Sequence, residues 1–311
     1  MQALVLLASA CSNIPPLDDD AWDAFPAVIE HQAVPYFEDD PYQCGPQSLA
    51  MVLSFSDKPV QPTELIESVY VPDRKGSFAP ELRAAARTQG RLPYRIDPAL
   101  PDLMTVLADG YPVLIMQNVG LGFAPVWHFA VTIGFDRSED AFILRTGPHE
   151  RLEMSTVKFE RRWRLADYWA IVLLAPDDFP VWVSRRQYED QLALMEDVWS
   201  EQMETIYRRM ETRWPDSTMA LLGLGNIAYG RGDLAAAAGR YESVLAIDST
   251  HIGALNNLAE VSLDLGDPQR ARALTCRALP LVRGHPLADY IADLDRRLES
   301  MHPELNCESG P

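Results

Sequence analysis

Apolar and polar positions divide the chain into two stretches with different periods. From about Val34 to Ala175, helical and strand patterns are mixed. An apolar run at helical spacing follows Cys44, from Gln47 to Phe55, and the segments "PTELIESVY" and "ALPDLMTVLADG" show the same spacing. The segment "FAPELRAAARTQG" opens behind Ser77, with Pro80 tolerated in a first turn and Gly90 as a stop. Farther on come "YPVLIMQ", "WHFAVTIGF", "DAFILRT" and "YWAIVLLA". They are short, rich in β-branched and aromatic residues, and several are bounded by Gly, Pro or Asp, as strands are. Helices first and antiparallel-looking strands second predict an α+β domain.

The segment "APDDFPVWV", Ala175 to Val183, holds two prolines and two aspartates and reads as a junction. Beyond it Tyr188, Leu192, Met195, Trp199, Ile206 and Met210 recur at helical steps on one face. That stripe is read as core, not as a cofactor site. A repeat follows: "GDLAAAAGRYESVLAID" starts at Gly232 and "GDPQRARALTCRALPLV" at Gly266, and 266 − 232 = 34. Leu221 and Leu255, Leu224 and Leu258, Gly225 and Ala259, and Ala237 and Ala271 keep the same offset. This period, with small residues where paired helices cross, is the tetratricopeptide signature. The predicted organisation is residues 1–12 as a lipoprotein-type signal remnant, 30–176 as the α+β domain and 184–300 as an all-helical repeat array. Arg185 to Pro215 is read as a degenerate earlier repeat, and "PLADYIADLDRRLESM" as a capping helix. Such arrays bind extended peptides or helices on a concave face, so a protein partner is expected there.

Composition narrows the partners. A chain of 311 residues, 47% hydrophobic, can build a proper core. The formal charge of −18, from 27 Lys and Arg against 45 Asp and Glu, argues against nucleic acid or an anionic membrane surface as a main partner. It favours a basic peptide instead. The cysteines are Cys11, Cys44, Cys276 and Cys307; they lack zinc-ligand spacing and are too few for a disulfide scaffold. Neither a metal nor a cofactor is implied. Cys276 falls in a repeat helix and is expected in core; Cys307, in the polar tail "NCESGP", is expected to be a free thiol or incidental.

The start, "MQALVLLASACS", has an apolar run far too short for a bilayer span, which needs roughly 20 residues. Ala8-Ser9-Ala10-Cys11 matches the end of a bacterial lipoprotein signal, with Cys11 as the acylated residue. No Lys or Arg supplies a basic n-region, so the match implies a translation start upstream of Met1. The expectation is a lipid-anchored, periplasm-facing protein of the bacterial envelope, touching the membrane only through that anchor. If the segment is not a signal, the expectation is the cytoplasm.

Cys44 precedes Gly45-Pro46 at the mouth of the first predicted helix. The thiolate is the reactive form, and a helix N-terminus, with about half a positive charge and unpaired N–H groups, stabilises it. The same N–H groups suit a developing oxyanion. A nucleophilic cysteine needs a base. Of His31, His128, His149, His251, His285 and His302, only His128 lies inside a clear strand pattern. A helix-borne Cys facing a strand-borne His is the papain-like arrangement. Two alternatives stand beside it: a Cys and His that are merely packed, and an amidase or acyl transferase using the same pair.

The segments "VPYFEDDPYQCGPQSLAMVL", "GSFAPELRAAARTQGRLPYRI" and "WHFAVTIGFD" resemble the bacteriocin-processing-type (double-glycine leader) cysteine peptidases. The order of motifs is similar to bacterial relatives with a C-terminal tetratricopeptide array, from about Val34 to about Arg297. The resemblance implies a papain-like fold, Cys44 as nucleophile, His128 as general base, and a peptide or protein substrate. Two positions depart from the pattern. Where such peptidases place a Gln as oxyanion donor, this chain reads "FEDD", with Glu38 and Asp39, and an ionised carboxylate cannot donate. Gln43 is the candidate substitute. Where an acid orients the histidine, "FILRTG" places Thr146, the candidate third member, with Asp136 as a weaker alternative. These departures leave a second expectation open: a weak or inactive peptidase-like scaffold that acts through its repeats.

Overall fold

The computed structural model describes residues 25–38, 42–176 and 178–307. Its contacts form two compact units, Met1–Val198 and Trp199–Pro311. Cys11 and Asp39 lie outside the described residues.

In the first unit, strands β1 (Val28–Glu30), β4 (Leu92–Arg95), β5 (Val113–Asn118), β6 (Trp127–Asp136), β7 (Ala141–Thr146), β8 (His149–Ser155) and β9 (Ala170–Leu174) form one antiparallel sheet. The strand order is β4-β9-β5-β6-β7-β8, with β1 also on β6. The ten-residue β6 serves two neighbours in succession. Trp127 to Thr132 pairs with β5, and Gly134 to Asp136 pairs with β1, either side of an irregularity between Thr132 and Gly134. A small second sheet pairs β2 (Tyr70–Val71) with β3 (Gly76–Ser77) across a 3-10 turn at Pro72–Arg74.

Helix α1 (Cys44–Phe55) lays its apolar residues on the sheet: Leu49, Ala50, Val52 and Leu53 share a buried cluster with Phe129, Val131 and Ile133 of β6. It starts at Cys44 itself, three residues before the apolar spacing begins. Helix α2 (Pro62–Val69) carries a capping box, in which the Gln61 N–H donates to Glu64 Oε1 at 2.8 Å. Helix α3 (Ala79–Thr88) is preceded by Phe78, not Ser77, which belongs to β3. Helices α4 (Leu100–Ala108) and α5 (Thr156–Arg164) complete the layer.

The stripe read from Tyr188 to Met210 is not one helix. It is α6 (Arg185–Leu192), a run of turns, and then α7 (Met203–Arg213). All six stripe residues are buried, but they belong to different units. Three-residue hydrogen-bonded turns, such as Met195 N–H to Leu192 O and Gln202 N–H to Trp199 O, preserve the spacing without a continuous helix. Helix α6 sits beside β4, where the Ser184 N–H donates to Tyr94 Oη at 3.0 Å and Arg83 reaches Gln191 Oε1 at 2.9 Å.

The second unit is helical: α7, then α8 (Thr218–Gly230), α9 (Leu234–Ile247), α10 (Ile252–Asp264), α11 (Pro268–Ala278) and α12 (Ala288–Met301). Helices α8 and α10 start 34 residues apart, 252 − 218, and so do α9 and α11, 268 − 234. Gly232 and Gly266 adopt the same left-handed conformation, with φ of 77° and 79°, which suits glycine. The aspartate after each caps the next helix: Asp233 Oδ1 accepts from the Ala236 N–H and Asp267 Oδ1 from the Arg270 N–H. The buried Arg272 of α11 pairs with Asp295 and Glu299, fixing α12 against it.

Two expectations fail in this unit. Cys307 is not a free thiol; it forms a disulfide with Cys276, which is half-buried and not in the core. The tail beyond α12 brings the two Cα atoms to 5.4 Å, a separation suited to the bond. A count of cysteines cannot show that approach. Among the described residues, no helix is long and apolar enough to cross a membrane.

Candidate active site

Cys44 is the first helical residue of α1, with Gln43 before it at φ −104° and ψ 19°. The N-cap residue makes no side-chain cap hydrogen bond, and no acid occupies the first turn of this helix. Its positive end is therefore not neutralised from within the helix, and the first-turn N–H groups point out at the mouth. Cys44 is half-buried, and it is the described cysteine not held in a disulfide. The residue after it must be small. A Cβ at Gly45 would lie 2.4 Å from Ser77 Oγ and 2.5 Å from Ser77 Cβ, so β3 presses directly on the helix mouth.

His128 is the second residue of β6, opposite Gln117 of β5. Its Nε2 lies 2.7 Å from Oγ1 of Thr146, the last residue of β7, which is buried. A hydroxyl can accept from an imidazole N–H. With Thr146 accepting, Nε2 carries the proton and Nδ1 is left as the basic nitrogen.

Cys44 and His128 line the same cavity, of about 670 Å³, together with Ser77, Met116 and Trp127 among others. Two other histidines play other parts: His31 Nε2 meets Leu107 O at 2.8 Å, and His251 caps α10. Asp136 ends β6, its Oδ1 accepting from the Ser138 N–H and Oγ in the turn that follows. It lies eight steps along the strand from His128, roughly 26 Å at about 3.3 Å per residue.

Gln43 is half-buried at the N-cap and is not among the described residues that line the cavity. The nearby Gln47 is buried, and its Nε2 donates to Glu38 O at 2.7 Å, tying down the chain before the cysteine. The Gln47 amide is thus engaged away from the cavity wall.

The wall also holds residues that sequence reasoning missed. Tyr42 and Lys75 both take left-handed φ, 71° and 49°, which costs a non-glycine residue on the order of 1 kcal/mol. Lys75 Nζ lies 6.0 Å from the centre of the Tyr42 ring, a cation–π pair at the cavity rim. Arg74 stands next to it in the wall.

Residues 30–171 match the Peptidase_C39 like family, and residues 228–290 match a tetratricopeptide repeat. The chain thus carries a Peptidase_C39-like domain followed by a tetratricopeptide repeat, and its fold is α+β followed by all-α. No curated protein matches it. Among solved structures it is similar to a C39-like protein from Bacillus anthracis, at 18% identity and a TM-score of 0.40, covering 48% of this chain and 98% of that one. It is also similar to a double glycine motif protease from an AMS/PCAT transporter in complex with the leader peptide. That likeness has 24% identity and a TM-score of 0.35, covering 45% of this chain and 90% of the other.

Proposed function

We propose that the protein is a cysteine peptidase whose repeat domain binds a peptide or protein partner. The observation that carries this reading is a helix-mouth cysteine and a hydroxyl-anchored histidine in the wall of one cavity. Cys44 acts as a thiolate beside a protonated His128. Sγ attacks the substrate carbonyl carbon, and the carbonyl π electrons move to oxygen. First-turn N–H groups of α1 hold that oxyanion, in place of a side-chain amide. Collapse breaks the C–N bond as His128 Nδ1 gives its proton to the leaving amine. A water then attacks the thioester while Nδ1 takes its proton, releasing the acid and restoring the pair. Thr146 keeps the imidazole oriented throughout but adds no negative charge to stabilise the imidazolium, so turnover is slow for such a pair.

The protein works in the cell envelope, anchored through an acylated Cys11. The Cys276–Cys307 disulfide supports that setting, because such bonds persist in oxidising compartments and are rare in the cytosol. One acyl chain holds a membrane only marginally, so the anchor carries more than one.

A second reading has its own support. Thr146 is neutral where an acid is usual, and the described cavity wall carries no side-chain amide, as suits a peptidase-like scaffold that binds without cutting. Incubation with a peptide mixture separates the two. The peptidase reading predicts cleavage by the full chain and none by Cys44→Ala; equal cleavage by both, or none by either, supports the scaffold.

A further inference from the structure

The whole-chain charge of −18 favours a basic peptide, but the cavity wall is charged the other way. Beside the Cys44–His128 pair, its charged residues are Arg74 and Lys75, and none of the described lining residues is a carboxylate. Asp73, on the same turn, is exposed and outside the wall. At physiological ionic strength charges are screened over about 8 Å. Two cations in the wall, with Asp73 beside them outside it, therefore leave the wall net positive for a ligand seated there.

Lys75, one of the two cations, is held in place. Lys75 closes the 3-10 turn, its N–H donating to Pro72 O at 3.1 Å, and its left-handed backbone sets its ammonium over the Tyr42 ring. Apolar side chains are displayed beside the two cations: Phe78, Val126 and Trp127 line the cavity and are each about half-exposed. The β5–β6 connection that bears Val126 is braced. Asn118 Oδ1 accepts from both the Gly120 and Val126 N–H groups, and Leu121 and Ala124 exchange backbone hydrogen bonds. Exposed apolar side chains on a braced loop mark a surface that meets a partner.

We infer that the cavity selects a peptide bearing a bulky apolar residue beside a carboxylate, with Arg74 and Lys75 as the residues that read the negative charge. This rests on the peptidase reading only in taking a peptide as the ligand. The apolar body settles on Phe78, Val126 and Trp127, and the carboxylate faces the guanidinium and ammonium groups.

The test measures binding, not turnover. Full-length Cys44→Ala protein is titrated against two dye-labelled hexapeptides that differ only in carrying Phe-Glu-Glu or Phe-Lys-Lys, followed by anisotropy. The expected preference for the glutamate peptide is about tenfold, weakening as salt rises. Arg74→Glu with Lys75→Glu should reverse it. Should that charge-reversed protein misfold, Arg74→Gln with Lys75→Gln should abolish the preference instead. Equal or tighter binding of the lysine peptide, binding of neither, or a preference unchanged by the substitutions overturns the inference. Selective binding of the glutamate peptide, with no peptide cleaved by the parent chain, leaves this inference standing and sinks the peptidase reading.

Discussion

His128 Nε2 and Thr146 Oγ1 are 2.7 Å apart across β6 and β7, so the imidazole is held by a neutral hydroxyl. If that contact orients the ring, Thr146→Val, which keeps the shape and removes the hydroxyl, lowers kcat/KM for peptide cleavage. The loss is about one neutral hydrogen bond, ~1 kcal/mol, or roughly fivefold in rate. Thr146→Asp keeps an acceptor and adds charge, and is expected to match or exceed the parent. A Thr146→Val enzyme with unaltered kcat/KM and pH profile removes Thr146 from the site.

The Cys276–Cys307 bond closes a loop of 31 residues' separation in the second unit. Loop entropy alone places its contribution at about 3–4 kcal/mol. Replacing both residues with alanine should lower the unfolding free energy of the helical unit, read from denaturant titration, by that amount, and a reductant should do the same to the parent but not to the double variant. A double variant as stable as the parent would show that α12 and the Arg272 ion pairs hold the tail unaided.

His31 sits against Leu107 and Phe55, and burial pushes its pKa below the ordinary 6.5. The unfolded chain therefore binds a proton that the folded chain resists. Stability from this group is present above about pH 6.5 and is lost as pH falls through the lower folded value. His31→Gln should flatten the stability–pH curve in that window. Urea unfolding of parent and variant at pH 5 and pH 8 checks this; the same loss in both proteins excludes His31 as the source.

The parts of this molecule that were legible in the sequence are those fixed by a few adjacent residues. Cys44 announced itself through Gly45-Pro46 at a helix start, and His128 through the apolar strand around it. Gly232 and Gly266 share one turn because the same Gly-Asp pair sits at the same offset. Thr146 was reached by likeness to a family, and its hydrogen bond to His128 is tertiary. What stayed hidden depends on approach in space. Arg74 and Lys75 reach the cavity only because a 3-10 turn folds β3 against the mouth of α1. Cys307 meets Cys276 only because the tail beyond α12 turns back. The break between α6 and α7 was invisible for a different reason: three-residue turns carry the apolar spacing of a helix.

The central claim is that Cys44 and His128 act as a pair, and the alkylation rate of Cys44 tests it most directly. Iodoacetamide labelling near pH 7, followed by peptide mass spectrometry, resolves Cys44 from other thiols; Cys276 and Cys307 are protected by their disulfide. A cysteine at its ordinary pKa of about 8.5 is only a few per cent thiolate there, whereas one paired with an imidazolium is largely ionised. The account predicts that His128→Ala slows labelling by about tenfold or more. Equal rates in parent and variant would mean that the two residues are not coupled, and would contradict catalysis by this pair.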